Sequence, residues 1–105
     1  MYLSILVCIL LPVNASDDPI ISKDLTGRII SWNQAAARVF GYQTEEILGQ
    51  SILRLIPPRF HHEENEILRR LRADEMIEPY ETNWLRKDGM NVSVTPRMTP
   101  SSASI

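Results

Sequence analysis

Residues 23–40, KDLTGRIISWNQAAARVF, with the Gly41-Tyr42 that follows, decide how this chain is read. Asp24-Leu25-Thr26-Gly27 has turn chemistry: a short acidic side chain that can bond forward to the backbone, then a glycine free to take positive φ. Arg28-Ile29-Ile30-Ser31-Trp32 reads as a strand, because β-branched and aromatic side chains suit a pleated, half-buried surface. Asn33 is placed as an N-cap. Gln34 to Phe40 is an alanine-rich helix with Ala36, Val39 and Phe40 on one face, and Gly41 is placed to stop it. Before the turn, Pro19-Ile20-Ile21-Ser22 is apolar enough to be the first strand of the same hairpin.

Outward from this stretch the signals stay local. Thr44 is expected to cap Glu45-Glu46-Ile47-Leu48, whose acids sit at the positive end of the helix dipole, with Gly49 ending it. Ser51 is expected to cap Ile52 to Ile56, which Pro57 stops. Pro57-Pro58 opens the longest helix, Arg59 to about Ala73, with Glu63, Glu64 and Glu66 early and Arg69, Arg70 and Arg72 late. Glu66 and Arg70 are spaced for an i to i+4 pair, and Phe60, Ile67, Leu68 and Leu71 form the expected buried stripe. From Ile77 the period changes to two: Tyr80, Thr82 and Trp84 alternate with Glu81, Asn83 and Leu85. Asp88-Gly89 signals a two-residue hairpin turn, and Val92 and Val94 return along the partner strand.

With 105 residues there is room for one small domain, and an apolar content of 44% with 23% charged residues is ordinary for a globular protein. A formal net charge of -2 provides no basic field for nucleic acid. Arg69, Arg70 and Arg72 cluster, but acids one turn earlier cancel them and no helix-turn-helix pattern is present. Cys8 is the single cysteine and can form neither an internal disulfide nor a multi-cysteine metal site. Tyr2 to Val13 is nearly all apolar, yet about twelve residues fall short of the roughly twenty a membrane-spanning helix needs. Val13-Asn14-Ala15 has the small residues of a signal-peptide cleavage site, but no lysine or arginine precedes Lys23. A lead-in segment over residues 1–16, or a displaced start, is the preferred reading.

No catalytic set stands out: there is no glycine-rich phosphate loop, no Ser/His/Asp or Cys/His arrangement and no metal-ligand spacing. His61 and His62 are adjacent, so on a helix they point about 100° apart and cannot share one ion as an i, i+4 pair does.

The order D-x-x-G, strand, W-N, small-residue helix, F-G-Y, then T-E-E-I-L-G resembles the PAS sensor domains of bacterial signalling proteins. Ile56-Pro57-Pro58, the charged helix, and Arg86-Lys87-Asp88-Gly89 continue the same pattern, so the resemblance covers roughly Asp17 to Pro96. It implies an α+β fold with an antiparallel sheet of five strands, short helices and one longer helix. It also implies a sensor or interaction role, non-enzymatic and cytoplasmic, that biases a histidine kinase or diguanylate cyclase through a small ligand pocket or a PAS-PAS dimer contact. The alternatives are a stand-alone interaction module or a transcription regulator without ligand, and a secreted or membrane-associated protein if the apolar start is a signal.

By the same resemblance Phe40, Ile47, Leu53, Ile56, Leu68 and Trp84 are candidate pocket-wall residues, each weighed against plain core. The cofactor is left unknown. Haem is disfavoured because Glu64 stands where haem-binding relatives carry their proximal histidine, a shift of two or three residues being needed to bring in His62. Covalent flavin is disfavoured because Ile52 stands where the reactive cysteine would follow Gly49. Glu46 is implied to pair with Lys87 or Arg86. The family's fifth strand lies between the two hairpins, and here it would only be starting at Pro96 to Ile105. Residues 17–100 are therefore expected to form a domain incomplete at its C-terminal side, with 101–105 a tail. The expected chain is a fragment of a longer sensor, or else a short module completed by a partner strand. Two unjoined hairpins would leave open edges, and the chain alone is expected to melt non-cooperatively.

Overall fold

A computed structural model describes residues 5–11 and 18–102. The N-terminal run, expected as a lead-in outside the domain, is instead a strand, β1 (Ile5–Leu10). The reason is alternation: Val7, Ile9 and Leu11 are fully buried, while Cys8 and Leu10 between them are half-buried on the other face. The expected hairpin follows as β2 (Ile20–Asp24) and β3 (Ile29–Trp32), with Ile30 bulged out where the register shifts beside Ser22 and Lys23.

The helices start and stop where the residues require. In α1 (Gln34–Phe40) the Asn33 side chain accepts from the Ala36 N–H at 2.9 Å, and Gly41 closes the helix at φ 82°. The short α2 (Thr44–Ile47) begins one residue earlier than expected, with Gln43 as its cap: Glu46 Oε2 accepts from the Gln43 N–H at 2.8 Å. Ser51 caps a 3₁₀ turn at Ile52–Leu55, and Pro57 leads into a second 3₁₀ turn and then α3 (His61–Arg72).

The second hairpin is β4 (Thr82–Leu85) and β5 (Asn91–Val94). Its turn is longer than the two residues expected. Arg86 N–H bonds the Met90 carbonyl at 2.8 Å and Gly89 N–H the Arg86 carbonyl at 2.9 Å, so Lys87, Asp88 and Gly89 form a three-residue loop closed by Gly89 at positive φ.

After Pro96 the chain continues as β6 (Arg97–Ser102). The main sheet runs β3-β2-β1-β6, antiparallel throughout. On its other edge β6 meets Ile77 through one isolated bridge at Met98. The edge of the first hairpin, expected to lack a strand, is therefore covered by β1 and β6, while β4–β5 forms a separate two-stranded sheet. On the inner face Trp32, Ile21, Ile9, Met98 and Ile77 form one row across the strands, all buried. The core lies between this face and α1, α3 and the Ile52–Leu55 turn. Val13 to Ala15 and Ala103 to Ile105 lie outside the described residues.

Candidate functional site

Alternation along β2 places Lys23 on the same inner face as Ile21, and the lysine is fully buried. On α3 the buried positions are Glu64, Ile67, Leu68 and Leu71, the i, i+3, i+4, i+7 spacing of one helix face. The two patterns converge, and Lys23 Nζ donates to Glu64 Oε2 at 2.5 Å with the two side chains 0% and 2% exposed. Removing two charges from water costs several kcal/mol each, so such a pair persists only when geometry makes each the partner of the other. No buried side-chain polar atom among the described residues is left without a partner. Both residues were legible as inward-facing from their spacing; what concealed them was the expectation that charged residues stay outside.

Tyr80, just before β4, is half-buried. Burial pushes its phenol pKa well above the usual range, with the carboxylates of Glu64 and Glu63 adding to the effect. Tyr80 also lines a surface cleft of about 510 Å³ that opens between α3 and residues 77–80.

None of the six candidate wall residues lines that cleft. Phe40, Ile47, Ile56 and Trp84 belong to the main core and Leu53 packs against it, while Leu68 is buried near Gly27. Phe40 is the centre of the aromatic group, its ring 5.9 Å from Trp32 and 6.0 Å from Trp84. Ile52 is fully buried. The two histidines part as their adjacency requires: His61 Nε2 bonds the Ile56 carbonyl at 2.8 Å, and His62 lines the cleft. Among the described residues no group of three His, Cys, Asp or Glu side chains is arranged to hold a metal.

A second ion pair lies at the surface. Lys87 Nζ donates to Glu46 Oε1 at 2.7 Å, and Lys87 rather than Arg86 is the partner; Arg86 is paired with Asp88 at 3.3 Å. The Lys87 hydrogen bond, helped by the Gln43 N–H, holds the Glu46 carboxyl below its usual range. On α3 the expected Glu66–Arg70 pair is replaced: Glu66 binds Arg69, and Arg70 turns to Glu75 at 2.9 Å, because the chain folds back just after the helix.

An antiparallel sheet covered on one face by short helices and one long helix, with a charged pair beneath the long one, is an α+β architecture. The sequence profile of the PAS fold matches residues 12–104, and the chain belongs to the PAS family. No curated protein matches it. PAS domains are non-catalytic sensor modules with a general role in signal sensing and interaction. No described helix is long and apolar enough to cross a membrane.

Proposed function

We propose that this module senses a small molecule at the interface between α3 and the sheet, and that the resulting shift of α3 biases an output domain of the histidine-kinase or diguanylate-cyclase kind in the cytoplasm. The observation that carries this reading is the Lys23–Glu64 pair. In an otherwise apolar interface it is one directional contact, either made or broken, so α3 has a discrete rather than a sliding relation to the sheet. A ligand that favours one arrangement moves the equilibrium by its difference in affinity for the two. The order of the T-E-E and K-D-G motifs, which resembles that of bacterial sensors, supports the choice of output. A thermal-shift screen of small molecules, followed by hydrogen exchange on the hits, tests the reading. A ligand that raises Tm and alters exchange in α3 and β2 supports it; hits that leave both elements unchanged remove it.

An interior pocket walled by Phe40, Ile47, Leu53, Ile56, Leu68 and Trp84 is the alternative place for the ligand, supported by Phe40, Ile47, Ile56 and Trp84 sharing one buried cluster with Leu53 packed against it. A dimer contact is a second reading, favoured by Ile20 and Ile30, each 41% exposed on the outer sheet face beside Leu10 and Cys8. Sedimentation equilibrium of the chain and of the Ile20→Glu variant decides it: a dimer that the variant abolishes supports this reading, and a monomer at all concentrations ends it.

A further inference from the structure

The cleft between α3 and residues 77–80 has a composition that selects for one kind of ligand. Its floor is apolar, made by buried Ile67 and Ile77 with the half-buried Tyr80. Its charged lining is less balanced than a residue count suggests. Glu66 is neutralised by Arg69, and Arg70, the one guanidinium in the lining, is held by Glu75 at 2.9 Å and reaches the Met76 carbonyl at 3.3 Å. With those pairs cancelled, Glu63 on the helix wall and Glu78 on the facing wall remain, both exposed and without an ion-pair partner among the described residues. His62 adds an imidazole to the rim. A volume of about 510 Å³ is within the range of small-molecule sites.

We propose that this cleft binds a small organic ammonium compound, its aromatic or aliphatic body on Ile67 and Ile77 and its cation between Glu63 and Glu78 beside the Tyr80 ring. An anion of the same shape meets two unpaired carboxylates, and a neutral one gains only the apolar floor. The proposal rests on the reading of α3 as the input element and names the ligand class for it.

The test is a titration of the whole chain at about pH 8, followed by backbone amide NMR, with phenethylammonium, phenethyl alcohol and 3-phenylpropionate. Phenethylammonium is expected to shift amides in residues 62–70 and 77–80 at about tenfold lower concentration than the alcohol. Added NaCl weakens it, and 3-phenylpropionate has no effect. The Glu63→Gln/Glu78→Gln variant changes two exposed side chains and keeps the fold; it should bind the ammonium only as well as the alcohol. Equal affinity for ammonium and alcohol, unchanged binding by the double variant, or shifts centred elsewhere overturns the proposal. Hydrogen exchange separates it from the sensor reading. Ammonium binding that leaves α3 exchange unchanged upholds the site and removes that reading. A cleft that ignores the ammonium while α3 responds to another molecule removes the site alone.

Discussion

Lys23–Glu64 and Glu46–Lys87 join residues the same distance apart in the chain, 41 positions in each case, and each ties a helix to a strand or its turn. Their lengths are alike, 2.5 and 2.7 Å, but the first pair is 0% and 2% exposed and the second 36% and 53%. In water a lost partner is replaced by solvent, whereas in the core the survivor is left as an uncompensated charge. The buried pair therefore locates α3 on the sheet. The surface pair fastens α2 to a turn that is already placed by the Lys87 N–H on the Phe40 carbonyl at 2.8 Å.

The strongest way to break this comparison is to let water reach Lys23. Val7 is its cross-strand neighbour on β1, and deletion of residues 1–11 removes Val7, Ile9 and Leu11 from the core and unpairs β2 and β6. Each of those side chains contributes about 1.5–3 kcal/mol by burial, a sum comparable with the whole stability of a small domain. The deletion variant is expected to lose its cooperative urea transition, read by circular dichroism. A retained sharp transition would show that β1 is dispensable.

Next come the pair's own residues. Lys23→Met or Glu64→Leu alone is expected to cost about 3–5 kcal/mol, because each strands the other charge. The double variant should recover most of that loss. Urea melts of the four proteins close a double-mutant cycle, and additive costs would mean that the two side chains do not interact.

The two hairpin turns extend the contrast. Both close with the same hydrogen-bond pattern, Asp24 with Arg28 and Gly27 in one, Arg86 with Met90 and Gly89 in the other. Gly27 and Gly89 have φ of 89° and 88°, but a Cβ on Gly27 would stand 3.2 Å from Leu68 Cδ1 of α3, while Gly89 has nothing within 4 Å. Gly89→Ala is expected to cost about 1–2 kcal/mol from backbone strain alone. Gly27→Ala adds overpacking of about 1–3 kcal/mol beneath α3. Equal losses in Tm would contradict this division.

The smallest effect belongs to the surface pair. Glu46→Gln should lower Tm by under about 2 °C at low salt, and less in 1 M NaCl. The Glu46 pKa in the folded chain lies below its ordinary 4.5, so its contribution is present above pH 4.5 and fades as pH falls through the folded value. Urea midpoints of wild type and Glu46→Gln should therefore differ at pH 7 and converge in acid. A gap that widens in acid would reverse the sign assigned to Lys87.

Much of the fold was legible because its signals are short-range. Asn33, Ser51, Gly41 and the Asp24 turn act on residues within four positions, and the Asp24 carboxylate does accept from the Thr26 and Arg28 N–H groups at 2.9 and 3.0 Å. The Glu46–Lys87 pair, although distant in sequence, came from the resemblance of motif order rather than from local rules. The candidate site was legible only in halves. Alternation places Lys23 inward and helical spacing places Glu64 inward, but neither period says that the two meet.

By itself, then, the sequence determined the Asp24 turn, the Asn33 and Ser51 caps, the Gly41 stop and the family, since each depends on a few neighbouring residues and their order. Tertiary structure decided that the apolar start is strand β1, that β1 and β6 extend the first hairpin into a four-stranded sheet, that Arg70 prefers Glu75 to Glu66, and that a lysine and a glutamate share the core. Those outcomes depend on which surfaces come together, and a strand's partner or a charge's neighbour exists only once distant segments have packed.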